Sequence, residues 1–486
     1  MPCTTLLVGK KVSNDGTPLI SRTDDGGFTI KKIVVVNPKD QPKTYKSVLN
    51  KFELQLPNNP LRYTACPNVD LSDGIWAASG INEKNVAMTA TETITTNPRV
   101  LGADPFVRYQ KKTDEHDEIP GGIGEEDFVV CVLPYISSAR EGAKRLGSLI
   151  ETLGTNESNG IAFSDENEIW WLETIGGHNW LAVRVPDDVY VMAPNQFSLD
   201  HFDLEDAYSN EINNMCSKSL KDLIVKNNLG LDINDNFNPR LAFGSHSDND
   251  HIYNTPRAWY MLKYFNPTTY KYYGPQADFT PESDNIPWSC KPERKITIED
   301  VKYILSSYYQ DTPYNPYKKM DDYSSGKYRP IGVSYTDCTT ICQIRNNVPE
   351  EIKAIEWYSV ASNAFNTIIP LYSNVDTLPE YISKGSMNCS TDDFYWSTRL
   401  INVLGDIHKN QTERLFERYI MKTMSYGREI INKYDELFIN TNNINLLKEA
   451  NELIVANLKK ETINLLNELV KLGTKNMKNV YHMTDN

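Results

Sequence analysis

Through about the first 200 residues, apolar side chains come in short runs separated by turn formers: TTLLVGKKV, GTPLISR, KKIVVV, NVAMTATETI, GIAFSD, EIWWLETI, WLAVRV and VYVMAP. Runs of this length, rich in β-branched and aromatic residues, read as strands. Asn14-Asp15-Gly16 and Asp25-Gly26-Gly27 carry the residues that turns between antiparallel neighbours require. Extensive antiparallel sheet is therefore expected here.

Helical spacing interrupts the strands twice, over residues 138–150, where Ser138 supplies a start signal, and over residues 204–227. Residues 235–330 are rich in Pro, Asn, Asp and Tyr and predict mostly loops. A strand-like pair follows in PIGVSYTDCTTICQI and AIEWYSVASNAFNTIIPLY. From about residue 391 the pattern turns helical, with Thr391-Asp392-Asp393 as a start. An apolar stripe then runs through Leu446, Ala450, Leu453, Leu458, Leu465, Leu466, Leu469 and Val470 to Gly473. Strands and helices in separate blocks favour an α+β fold over a doubly wound sheet. The expected division is a unit over residues 3–385 and a helical segment over residues 386–486 that covers a sheet or an oligomer interface.

Charge narrows the function classes. The 486-residue chain has a net charge of -14, which disfavours binding that depends on clustered Lys and Arg meeting phosphates. No apolar run approaches the length of a membrane span, and the start of the chain lacks a signal-peptide layout. Eight widely spread cysteines suit reduced thiols better than a disulfide framework. A cytoplasmic homo-oligomer that binds neither nucleic acid nor membrane is expected. Cys338 and Cys342 read as a buried structural pair, Trp170 and Trp171 as core, and the His246–His251 stretch as a solvated loop rather than a metal site.

Candidate chemistry lies at the amino terminus. Cys3 opens the first strand-like run, and removal of the two residues before it would give one residue both a nucleophilic sulfur and an α-amine able to accept a proton near neutrality. Such a thiol needs nearby positive charge, and such an amine needs an orienting acceptor. Arg22 and Asp25, in LISRTDDGG, can supply both if a turn at Asn14-Asp15-Gly16 folds the second run back on the first.

The ordered segments CTTLLVGKKVSNDGTPLISRTDD, DGIWAASGINEKNVAMTATETI, GTNESNGIAFSDENEIWWLETIGGHNWLAVRVPDDVYVMAPNQFSLDHFD and DHIYNTPRAWYML resemble the C69 dipeptidase family of amino-terminal-nucleophile (Ntn) hydrolases, from Cys3 to about Tyr372. The resemblance implies a four-layer αββα sandwich with two packed antiparallel sheets, and no metal or organic cofactor. It matches Cys3 to the nucleophile, and Arg22 and Asp25 to the R-x-x-D shared with bile-salt hydrolases and penicillin V acylases. Asn195, in VMAPNQF, resembles the oxyanion-hole asparagine of those relatives, and Arg257, in YNTPRAW, their second active-site arginine. Glu92, in TATETI, stands where the cholylglycine-type relatives have asparagine. A carboxylate there suits the free amino group of a short peptide. Asn82, in SGINEKN, reads first as a turn former and second as a substrate contact.

The implied activity is cysteine-type dipeptide hydrolysis after loss of Met1 and Pro2. Rival readings are an amidohydrolase for a non-peptide amide and a non-catalytic, secernin-like member. Keeping Cys3, Arg22, Asp25, Asn195 and Arg257 together speaks against the last.

Overall fold

Alternation along the first two strands sets the architecture. In the computed structural model, which describes residues 3–232, 237–318 and 323–477 apart from the side chains of Thr91 and Glu92, β1 (Thr4–Val8) pairs antiparallel with β2 (Leu19–Asp24). Leu7 and Ile20, directly paired, point to one side of the sheet, whereas Leu6, Val8 and Leu19 point to the other. Both sides are apolar because both are covered. The connection over residues 9–18 is longer than a tight turn. Asp15 holds it, accepting from Ser13 Oγ and Thr17 Oγ1 at 2.7 Å each.

These strands are central in a seven-stranded antiparallel sheet. Its spatial order is Ser289–Cys290, Tyr190–Ala193, β1, β2, Cys338–Ile344 (β3), Ala354–Val360 (β4) and Ile369–Tyr372 (β5). A six-stranded sheet runs Asn214–Cys216, Asn179–Val185, Ile169–Ile175, Asn159–Ser164, Ala87–Thr93 and Ser79–Ile81. Leu7, Ile20, Val191 and Cys342 of the first sheet share one apolar cluster with Ala162, Trp171, Leu181 and Ile81 of the second, so the two sheets pack face to face.

Each outer face is closed by helices. On the second sheet, α1 (Ala139–Leu153) buries Ala143, Leu146 and Ile150 against Phe163 and Trp170. Ser138 caps it by accepting from Glu141 N at 3.2 Å. On the first sheet lie α2 (Thr255–Phe265), the helix Ile298–Leu305, and three C-terminal helices, α3 (Phe394–Ile407), α4 (Lys409–Thr441) and α5 (Asn445–Lys475). The order of layers is helix, sheet, sheet, helix.

Several expectations hold and several need correction. Trp170 and Trp171 are both fully buried, on opposite faces of one strand, and Asp393 caps α3 as expected. The single helix expected over residues 204–227 is instead two short helices, Leu204–Ala207 and Leu220–Lys226, flanking the edge strand Asn214–Cys216. Asp206 breaks it: its carboxylate accepts the backbone N–H groups of Ile212, Asn213 and Asn214, which a helix would have spent internally. The loop-rich stretch also holds more helix than expected, because Thr297 and Asp300 form a capping box. In α5 the buried stripe runs through Leu447, Ala450, Ile454, Leu458, Leu465 and Leu469. Val470 is half exposed, and the helix passes Gly473 to end at Lys475. No helix among the described residues is long and apolar enough to cross a membrane.

Candidate active site

The site forms where the apolar gap between the sheets runs out. Thr4 pairs with Thr23, and Thr5 with Arg22 on one side and Ala193 on the other. One step further in the same register sets Cys3 beside Asp24 and next to Asn195. By strand alternation, Arg22 and Asp24 continue the inward row begun by Ile20. A row that starts as core therefore ends as a buried cluster of sulfur and charge. Cys3 is 0% and Arg22 1% exposed.

The Arg22 guanidinium organises the cluster. Its Nη2 lies 2.9 Å from Cys3 Sγ, 3.3 Å from Glu125 Oε1 and 3.4 Å from Asp24 Oδ1. Nε donates to the Thr23 carbonyl at 3.2 Å. Burial works against its charge, but the fields of Cys3, Asp24 and Glu125 outweigh burial and hold Arg22 well above its ordinary value. Asp24 also meets Lys31 Nζ at 2.8 Å. Burial alone would raise its carboxyl, yet Lys31 and Arg22 keep it below the usual range. Burial does raise Glu125, against the pull of Arg22. Sγ and one oxygen each from Asp24 and Glu125 lie within 4.8 Å of one another, a donor set that a divalent metal could use. Arg22 Nη2 already stands within 3.4 Å of the sulfur and of one oxygen of each carboxylate.

A second guanidinium fixes the backbone around the thiol. Arg257, fully buried in the first turn of α2, donates through Nη1 to the Cys3 carbonyl and, at 2.6 Å, to Thr4 Oγ1. Its Nη2 donates to Asn195 Oδ1 at 2.6 Å and to Asn254 Oδ1 at 2.9 Å. Asn195 in turn directs Nδ2 at the Thr93 carbonyl, 2.9 Å away. Cys3, Arg22, Asn195 and Arg257, remote in sequence, thus meet in one cluster.

The other expected residues fare differently. Asp25 belongs to the second hydrogen-bonded layer: it pairs with Arg329 Nη2 and accepts from Thr336 Oγ1 at 2.7 Å and from Thr23 Oγ1 at 3.2 Å. Thr23 Oγ1 accepts from Thr4 N at 3.1 Å, so Asp25 reaches the nucleophile's strand through Thr23. Burial raises its carboxyl, opposed by Arg329 and Thr336. Asn82 is a turn former: Oδ1 accepts from Lys84 N and Val86 N, and Nδ2 donates to the Leu133 and Ile136 carbonyls at 2.9 and 2.8 Å. Those bonds hold it in place within the turn, in line with the first of its two expected readings. The backbone of Glu92 pairs with Gly160 beyond a strand irregularity. Its side chain lies outside the described residues.

Asp24, Lys31, Glu125 and Arg329 escaped the reading of the sequence. Asp24 was within reach, because the same hairpin symmetry that pairs Arg22 with Thr5 sets Asp24 beside Cys3. Glu125 lies about 100 residues away in a loop with no periodic signal.

The model of peptidase family C69 matches residues 2–422. A dipeptidase of Bifidobacterium longum is 46% identical over 532 aligned positions, with all of both chains covered. A probable dipeptidase A of Streptococcus pyogenes serotype M3 is 48% identical, again over the full length of both. Dipeptidase A of Lactobacillus helveticus is 42% identical, covering 99% of each chain. On the family match across most of its length and on full-length relatives at this identity, the chain belongs to peptidase family C69.

Proposed function

We propose that this protein is a cysteine-type dipeptidase in which Cys3, freed by removal of Met1 and Pro2, is both nucleophile and, through its α-amine, general base. The observation that carries the reading is the 2.9 Å contact between Arg22 Nη2 and Cys3 Sγ at the buried end of the inter-sheet gap. A guanidinium at that distance favours the thiolate, the attacking form of cysteine. The sulfur adds to the scissile carbonyl carbon as the α-amine takes the thiol proton. Collapse of the tetrahedral intermediate breaks the C–N bond, and the proton passes to the leaving amine. Water then adds to the thioester, releasing the first amino acid and restoring the thiol. The developing oxyanion is assigned to Asn195 Nδ2, which Arg257 orients through Oδ1. Arg257 also anchors the Cys3 carbonyl, so the nucleophile cannot drift when its amino side is released.

The layer order described above supports assignment to the Ntn-hydrolase αββα sandwich. The chain is further read as a 3–385 catalytic unit with a 386–486 helical segment, acting in the cytoplasm as a homo-oligomer. Mass spectrometry joined to an assay tests the mechanism. An active preparation should begin at Cys3, and Cys3→Ala should abolish dipeptide hydrolysis. Full activity with the Pro2–Cys3 bond intact would refute the proposed base. Parallel assay of an acylated non-peptide amide separates the peptidase from an acylase.

A further inference from the structure

A cavity of about 360 Å³ lies against the outer side of the Arg22 cluster, lined among others by Asp24, Phe28, Lys31, Trp76, Asp337 and Met387. Asp24 is the shared wall: one of its oxygens is within 4.8 Å of Cys3 Sγ, and the same side chain faces the cavity. One buried carboxylate oxygen here, Asp337 Oδ2, accepts no hydrogen bond, and Asp24 Oδ1 has only its 3.4 Å ion pair with Arg22 Nη2. Asp337 is 0% exposed, and its Oδ1 accepts from Arg399 Nη2 at 3.0 Å. Buried acceptors are almost always satisfied, so an orphaned carboxylate oxygen on the cavity wall indicates a donor that arrives with the ligand.

We propose that this cavity seats the free ammonium group of the substrate, with Asp337 as the specificity-determining acceptor and Asp24 as its neighbour on the side of the thiol. The proposal rests on the dipeptidase reading above. In a dipeptide the ammonium nitrogen is one Cα removed from the scissile carbonyl carbon, so attack by Sγ leaves the ammonium within roughly 5 Å of the sulfur. That is the range in which the Asp24 carboxylate stands. An ammonium brings three donors and a positive charge, which matches the unpartnered oxygen of Asp337 beside a second carboxylate. Arg22 and Lys31 already neutralise Asp24, whereas Arg399 engages only one oxygen of Asp337. Burial and the adjacent Asp24 push the Asp337 carboxyl up to about 8, and an arriving cation favours its ionised form. Met387, ahead of α3, closes the far side, and Arg399, on α3, holds Asp337 in place. The C-terminal segment thereby completes the pocket.

The test compares alanyl-alanine with its N-acetyl form on full-length processed protein. Wild type should favour the free dipeptide. Asp337→Asn should lower kcat/KM for the free dipeptide about 10- to 100-fold, the scale of one charge-assisted hydrogen bond, with the change in KM and with turnover of the acetylated form little altered. Met387→Arg, at a position 56% exposed, sets a competing cation at the pocket and should shift the preference in the same direction. It decides the matter if Asp337→Asn does not fold. The inference is overturned if wild type does not distinguish the two substrates, or if the folded variants keep the wild-type preference. Cys3→Ala run alongside separates the failures: retained hydrolysis sinks the dipeptidase mechanism itself, whereas lost hydrolysis with an unchanged preference in Asp337→Asn sinks only the pocket assignment.

Discussion

The N-terminal strand pair and the C-terminal helix pair bury their side chains by opposite rules. Helices α4 and α5 meet through Leu447, Ala450, Ile454, Leu458, Leu465 and Leu469 and keep their charges at the surface. β1 and β2 begin the same way, with Leu7 on Ile20, and then bury Arg22, Asp24, Asp25 and Lys31 at 3% exposure or less within a few residues. Sealing an apolar side chain is favourable by about 1.5 to 3 kcal/mol, while an uncompensated buried charge costs several. The helix pair is what stability alone would select. The strand pair departs from it where the thiol sits, and departures of this kind are expected at functional sites. Substitutions in the two regions should therefore separate activity from stability.

The largest effect belongs to Cys3→Ala, which removes the nucleophile and should cut hydrolysis by roughly 10⁶-fold while leaving the fold intact. Turnover and a thermal melt on the same sample check both halves. Arg22→Met should come next. It leaves Glu125 and Asp24 with less opposing charge, so a stability loss of about 3 to 5 kcal/mol is expected, together with loss of turnover. A variant that remains active and as stable as wild type would show that Arg22 does not organise the cluster.

How much of this was legible beforehand follows the same divide. Period-two runs exposed the central strands, and a Ser start exposed α1, because each depends on residues close in sequence. The resemblance carried Arg257 and Asn195 to the site, and the structure joins their side chains at 2.6 Å. Glu125 and Asp337 were invisible: each is an acid in an irregular stretch, and what makes it important is a partner about 60 or more residues away. Asp25 matched a familiar pattern yet lies one layer back, because alternation turns its neighbour Asp24 toward the sulfur. The stripe read in α5 was right in kind and shifted in register, since a pattern of leucines does not reveal that Asn451 also faces inward.

Asn451 offers the third prediction. Fully buried on α5, it accepts from Tyr372 N at 2.9 Å and donates to the Tyr372 carbonyl at 3.0 Å, capping the terminal strand of the first sheet. Asn451→Ala leaves both backbone groups buried and unpaired, at a cost of about 3 kcal/mol. Chemical denaturation should register that loss. Because the contact lies in the C-terminal layer, kcat/KM should stay at the wild-type value, and a matching fall in kcat/KM would dissolve the separation between the two regions.

The smallest effect is expected where the regions meet, at Glu356 on β4. Its carboxyl is 1% exposed, with Thr64 Oγ1 2.5 Å from Oε2 and Ser79 Oγ 3.4 Å from Oε1. Burial pushes it up to about 7, the two hydroxyls opposing. The folded protein then holds this proton at pH values where the unfolded chain, near the ordinary 4.5, has already lost it. Folding binds the extra proton, so the contribution of Glu356 to stability is complete below about 4.5, declines as pH rises toward about 7, and stays lost above that. Glu356→Gln is neutral throughout and escapes the decline. Relative to wild type the variant should therefore gain on the order of 2 kcal/mol between pH 5 and pH 8. Asp127 and Glu173, both also raised to about 7, titrate alike in the two proteins and cancel from the difference. Denaturation midpoints for both proteins at the two pH values measure it, and a gap that does not widen with pH would mean that Glu356 is ionised in the fold.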